Sequence, residues 1–108
     1  MNDDGGRTAI SRLRGSYAEP LNMEDLAGRV GMSRSTFNCR FRQVTGLSPL
    51  QFQNRLRLYE AERLMLREGH NAGEAALAVG YERASQFTRE YKRLFGQPPR
   101  RDVAGKRI

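Results

Sequence analysis

The chain has no tryptophan, one cysteine and one histidine among its 108 residues. A single thiol, Cys39, rules out an internal disulfide framework and any cysteine-rich zinc finger. A single imidazole, His70, leaves little for metal ligation or for a nucleophile–base pair. Long apolar runs are missing too. The longest is Ala75–Val79, far short of the roughly 20 residues that cross a bilayer, so no membrane partner is expected. There is no GxGxxG, P-loop, HExxH or nucleophile elbow, so the sequence does not read as an enzyme, and no cofactor or metal is expected. The length excludes an α/β barrel or a full dinucleotide-binding fold, and suits one domain or two very small units sharing a core. Residues 1–6, Met1 to Gly6, are acidic and polar rather than a signal peptide, and read as a flexible segment or linker remnant. The expectation is a soluble, cytoplasmic, basic domain.

Acids are the scarcer charge, 12 against 19 Lys and Arg, for a net +7 and a pI near 10.5. The excess is not spread evenly. Residues 33–46 hold Arg34, Arg40 and Arg42 with no acid. Residues 83–97 hold Arg83, Arg89, Lys92 and Arg93 against Glu90 alone. The tail after Gln97 holds Arg100, Arg101, Lys106 and Arg107 against Asp102. Neutral or acidic stretches separate them. Basic segments of this kind point to an anionic partner.

The two internal basic segments also match in sequence. Ala27, Val30 and Gly31 recur as Ala76, Val79 and Gly80, an offset of 49. Phe37, Phe41, Gly46 and Pro49 recur as Phe87, Tyr91, Gly96 and Pro99, an offset of 50. The one-residue change falls just after the glycine, in a turn. The chain is therefore two copies of one supersecondary unit. Each copy reads as helix, short turn, helix. In the first, Met23, Leu26, Ala27 and Val30 share a face, Asn22 is the N-cap, and Gly31 ends the helix with a positive φ. Ser33 caps a second helix whose inward stripe is Phe37, Phe41 and Val44, and Gly46 stops it. In the second copy, Asn71 or Gly73 starts a helix with Ala75, Ala76 and Val79 inward. The next runs from about Ala84 to Phe95 with Phe87, Tyr91, Leu94 and Phe95 inward. Small residues at the joints let two helices meet closely at a tight turn, which is the helix-turn-helix requirement.

Between the copies, residues 48–67 contain no glycine and no proline past the first turn. Leu50, Leu56, Tyr59, Ala61, Leu64 and Met65 give them a broad apolar face, and Arg55, Arg57 and Arg63 are expected to pair with Glu60, Glu62 and nearby acids. Such a helix is about 30 Å long. One turn of B-DNA is about 34 Å, so a stiff rod of that length could hold two reading helices in successive major grooves. Residues 7–19 read as a further helix through Ile10, Leu13 and Tyr17. Pro98-Pro99 opens a short last helix over residues 98–104.

The chain closely resembles the DNA-binding domain of AraC/XylS-type bacterial transcription regulators, from about Ile10 to Asp102. The resemblance rests on Leu26-Ala27, Gly31-Met32-Ser33, Phe37, Phe41 and Thr45 to Pro49. Arg57-Leu58 and Ala61 extend it, as do Ala76, Val79 to Tyr81, Ser85 to Phe87, Arg89, Tyr91, Phe95-Gly96 and Pro98-Pro99. It implies an all-α fold of about seven helices over residues 7–104. Two helix-turn-helix subdomains, about residues 23–45 and 72–95, are joined by the central helix. It also implies duplex DNA as partner, activation through RNA polymerase, a cytoplasmic place at the bacterial nucleoid, and an effector or dimerisation domain outside these residues. A protein-interaction module with only weak DNA binding is the alternative.

The helical wheel assigns the DNA face, and the family places its readers at the same positions. Opposite Phe37 and Phe41 lie Ser35, Asn38, Cys39 and Arg42. Arg42 suits a guanine and Asn38 an adenine. Opposite Phe87 and Tyr91 lie Ser85, Thr88, Arg89 and Lys92. Arg89 suits a guanine or phosphate, and Ala84 and Thr88 a thymine methyl. Phosphate contacts are assigned to Ser33, Arg34, Arg83, Lys92, Arg93 and Arg100. Cys39 reads as a small neutral contact rather than a redox sensor, and His70 as an exposed loop residue. Arg83 departs from the family, which carries a small capping residue there, as Ser33 is in the first copy. Two readings stand: Ser85 or Glu82 caps in its place, or Arg83 meets a phosphate that offsets the helix dipole. Arg100, Arg101, Lys106 and Arg107 either touch phosphates or form a solvated tail.

Overall fold

The computed structural model describes residues 4–107, with side chains from Ala9 onward. The first part of the expected 1–6 segment, Met1 to Asp3, lies outside the described residues. The described residues form seven helices: α1 (Asp4–Gly15), α2 (Met23–Arg29), α3 (Arg34–Thr45), α4 (Pro49–Arg67), α5 (Ala72–Ala78), α6 (Ala84–Phe95) and α7 (Pro99–Lys106). They divide into two compact units, one up to Leu56 and one from Arg57 onward, with α4 contributing to both.

In the first unit α3 packs on α1 and α2. Ala9, Leu13, Leu26, Ala27, Phe37 and Phe41 are buried together, with Ile10, Met23, Val30, Met32, Phe52 and Leu56 packed around them. The local signals act as their chemistry requires. The Asn22 side chain accepts from the Asp25 amide at 2.9 Å, and Ser33 Oγ accepts from the Thr36 amide at 3.3 Å. Each satisfies a donor that a helix start leaves unpaired. Gly31, at φ 69°, takes the chain through the left-handed region between α2 and α3, where a side chain would be strained. Ser48 and Gln51 cap α4 reciprocally, at 3.2 and 3.0 Å.

Three details differ from the sequence-based reading. First, α1 starts at Asp4 and stops at Gly15, not residue 19. Ser16 Oγ donates back to the Arg12 carbonyl at 2.9 Å, and Pro20 disfavours helix at Glu19. Second, Val44 is 46% exposed although the wheel puts it near Phe37. Phe52 meets Phe41 edge-on at 5.4 Å, so the covered side at this end rotates toward Phe41 and the half-buried Thr45. Third, the apolar face of α4 is not one stripe. Ala61 and Met65 are buried, but Leu50 and Tyr59 are about half exposed, at 54% and 50%. Its two halves pack on different neighbours. Gln53 is buried in the first unit, where its Nε2 donates to the Glu19 carbonyl at 2.7 Å, and Leu58 is buried in the second.

The second unit repeats the scheme, with α6 packed on α5 and α7. Ala75, Ala76, Val79, Tyr81, Phe87, Tyr91 and Val103 are buried with Leu58, Ala61 and Met65. Asn71 is the N-cap of α5, with Glu74 completing a capping box. Gly80 takes the matching positive φ, 98°, after it. The last helix is tied down by charge. Tyr91 Oη donates to the buried Asp102 at 2.7 Å, and Lys106 Nζ reaches Glu62 at 2.6 Å and Asp102 at 2.8 Å. Burial, then the Asp102 bond, raises the Tyr91 pKa above the usual phenol value. Arg107 donates to the Met65 carbonyl at 2.9 Å. Lys106 and Arg107 therefore belong to the packing of α7 on α4, not to a solvated tail. Arg57 donates to the Gly80 carbonyl at 3.4 Å and lies over the Tyr81 ring, while Arg63 pairs with Glu60 at 2.6 Å. His70 is half-buried rather than exposed, and its Nδ1 is enclosed.

Candidate nucleic-acid interface

The second helix of each helix-turn-helix carries the basic face. On α3, burying Phe37 and Phe41 turns the opposite side outward. Arg34, Ser35, Cys39, Arg40 and Arg42 are exposed and Asn38 is half-buried at the edge. On α6, burying Phe87 and Tyr91 leaves Arg83, Ala84, Ser85, Thr88, Arg89, Lys92 and Arg93 exposed. Arg100, in the first turn of α7, is exposed as well. Within each unit, then, the structure brings the expected readers onto one face. Neither helix has an acid in its first turn.

Charge pairing sharpens the picture. Arg12 and Arg29 share Asp25, Arg63 holds Glu60 and Glu68, and Lys106 holds Glu62 and Asp102. Among the described residues, no carboxylate pairs with Arg34, Arg40, Arg42, Arg83, Arg89, Lys92, Arg93 or Arg100. Arg14, Arg55, Arg67 and Arg101 share that property, so unpaired charge alone does not mark the face. What marks it is unpaired charge interleaved with small polar side chains on the outer side of the second helix in both units. An anion meeting that side finds donors already free of internal partners.

The two helix starts differ. The single hydroxyl donor of Ser33 is used internally: its Oγ accepts from the Thr36 amide and donates to Thr36 Oγ1 at 3.0 Å. Arg83, the N-cap of α6, has extended backbone and no capping side-chain bond. Neither Ser85 nor Glu82 supplies one among the described residues. The first-turn amides of α6 thus lack the side-chain acceptor that those of α3 possess.

One cluster on α6 was not legible as part of the face. Tyr81 Oη donates to Glu90 Oε1 at 2.8 Å, and Gln86 Nε2 donates to Glu90 Oε2 at 3.0 Å. The sequence signal was present, since Gln86 and Glu90 are an i,i+4 pair, but Tyr81 comes from the turn before the helix. Burial, then the Glu90 bond, holds the Tyr81 pKa above the usual phenol value. No group of three or more histidine, cysteine or carboxylate side chains is placed to hold a metal ion among the described residues. Nor is any helix there long and apolar enough to cross a membrane.

Comparison with known proteins gives the face a context. A family model described as a helix-turn-helix domain matches residues 26–103. The chain is 29% identical over 96 residues to the HTH-type transcriptional activator RhaS of Pectobacterium carotovorum subsp. carotovorum (strain PC1), covering 89% of this chain and 34% of that protein. It is 39% identical over 94 residues to a putative AraC-like transcription regulator of Streptomyces lividans, covering 85% of this chain and 30% of that one. Among solved structures, it is similar to the DNA-binding domain of AdpA, a global transcriptional factor, in complex with a target DNA. That likeness has a TM-score of 0.85 at 29% identity, and covers 94% of this chain and 92% of the other. The chain spans about a third of the length of the curated relatives it matches.

Proposed function

Because the chain belongs to the AraC-type helix-turn-helix family of transcription-regulator DNA-binding domains, we propose that it reads duplex DNA in a bacterial cytoplasm through two helices, α3 and α6, set in adjacent major-groove segments. The observation that carries this reading is the outer face of each second helix, where unpaired arginines alternate with small polar side chains. Ser35, Asn38, Cys39 and Arg42 read bases from α3, and Ala84, Ser85, Thr88 and Arg89 from α6. Arg34, Arg83, Lys92, Arg93 and Arg100 meet phosphates and fix register. Ser33 joins them through its backbone turn, since its hydroxyl is held by Thr36. The phosphate over Arg83 takes the place of the missing cap on α6, an anion at the positive end of the helix dipole. Contact with RNA polymerase and a separate effector or dimerisation domain complete the proposal, in keeping with relatives about three times as long.

Arg42→Ala and Arg89→Ala test the assignment. Both residues are exposed, so folding is expected to be unchanged. Each substitution is expected to weaken binding to the preferred site by about 1–3 kcal/mol, with relaxed preference at one base position. Competition against single-base-pair variants of that site measures it. Wild-type affinity and preference in both variants would show that α3 and α6 do not read through these residues.

A further inference from the structure

The hydrogen-bonded set Tyr81–Glu90–Gln86 has no counterpart in the first unit. The repeat aligns Gln86 with Thr36 and Glu90 with Arg40. Thr36 is instead tied to Ser33, and Arg40 is exposed. The first unit thus builds the same helix pair without this set, so the fold does not require it. An acid on a helix that faces phosphate also works against binding through like-charge repulsion. Glu90 nonetheless sits on α6, with one oxygen held from beneath by the buried Tyr81 and the other holding Gln86. Tyr81 is itself fixed, packed edge-on to Phe87 at 5.3 Å.

We infer that Glu90 is a positioning residue that locks the Gln86 carboxamide on the DNA-facing side of α6 to read one base pair. This rests on the duplex-reading function proposed above. Gln86 lies on the same i,i+3 row as Arg83 and Arg89, so it stands inside the basic face. A carboxylate only accepts hydrogen bonds, so it takes the Nε2 side of the amide and prevents the flip that a free glutamine undergoes. One Nε2 hydrogen goes to Glu90. The other hydrogen and Oε1 remain, one donor and one acceptor side by side. That is the pattern with which glutamine grips adenine N7 and N6 in the major groove. The bases around it are read by arginine and small residues, so Gln86 adds a second kind of specificity to α6.

The test uses the whole chain as wild type, Gln86→Ala and Glu90→Gln. Each is taken through binding-site selection on random duplex DNA at fixed salt, followed by competition at every base pair of the wild-type site. Gln86→Ala is expected to lose about 5- to 150-fold discrimination at one A·T pair, with affinity for unrelated duplex unchanged. Glu90→Gln is expected to lose discrimination at that same pair while binding unrelated duplex more tightly, because a negative charge has gone. A merely structural role for Glu90 would weaken binding to all DNA together. If Glu90→Gln proves unfolded by circular dichroism, Tyr81→Phe, which keeps the ring packing, is expected to show the loss at the same pair. Wild-type preference at every pair in Gln86→Ala, or undiminished discrimination in the folded tether variant, overturns the inference. A wild-type chain with no preferred site and no salt dependence overturns the duplex-reading function itself, an outcome distinct from the other two.

Discussion

Phe87→Ala is expected to destabilise the second unit by about 3–5 kcal/mol, the cost of deleting a buried aromatic ring. Phe87 is 1% exposed, and its ring lies 5.3 Å from that of Tyr81 and 5.7 Å from that of Tyr91. The hole would open under the centre of α6. Tyr91 cannot swing in to fill it without giving up its bond to Asp102, and Tyr81 cannot without giving up Glu90. Collapse is therefore blocked, which puts the cost toward the top of the range. A small domain has only about 5–15 kcal/mol in total, so the loss shows as a large drop in denaturation midpoint. Urea titration followed by circular dichroism measures it. Phe87→Leu, which keeps most of the volume, is expected to cost less. A near-neutral Phe87→Ala would mean that the aromatic core does not hold α6 in place.

The second large effect is on binding and comes from salt. Arg34, Arg83, Lys92, Arg93 and Arg100 are exposed with no carboxylate partner among the described residues. Each phosphate they neutralise releases condensed counterions. Five such contacts give log K a slope near −4.5 against log salt, roughly a 500-fold loss of affinity between 50 and 200 mM. Lys92→Ala and Arg93→Ala are expected to lower that slope by about 1 each, nearly equally on preferred and random sequences. Fluorescence anisotropy on labelled duplexes over a salt series reads the slope directly. A flat dependence would favour a surface that binds protein rather than nucleic acid. Arg63→Ala is the internal comparison. Its guanidinium is held by Glu60 and Glu68, so its loss should leave the slope alone.

Much of the fold could be read from the repeat. The α6 limits, Ala84 and Phe95, follow from an aromatic stripe between Arg83 and a left-handed Gly96. The caps at Asn22, Ser33 and Asn71 follow from side chains that prefer that role over the helix interior. Angular periodicity carried less. It gives a direction from the helix axis but not what stands there, so Val44, Leu50 and Tyr59 lie on the apolar side of their wheels yet are half exposed. Polar contacts between residues far apart in the chain were illegible for a related reason. Gln53 meets Glu19, and Lys106 meets Glu62, across 34 and 44 residues of chain. Nothing local in the sequence marks such pairs. The outer faces of α3 and α6 were legible because they are the complements of the clearest stripes. Gln86 was missed because its place depends on Tyr81, outside the helix.

The claim at the centre is that two copies of one unit read one duplex together. Selection from random double-stranded DNA at a single salt concentration, followed by sequencing of the bound pool, tests it most directly. Two half-sites about 10 base pairs apart, centre to centre, are expected, with Arg42→Ala erasing preference in one half and Arg89→Ala in the other. A single short motif, or one that both substitutions degrade at the same positions, would contradict it.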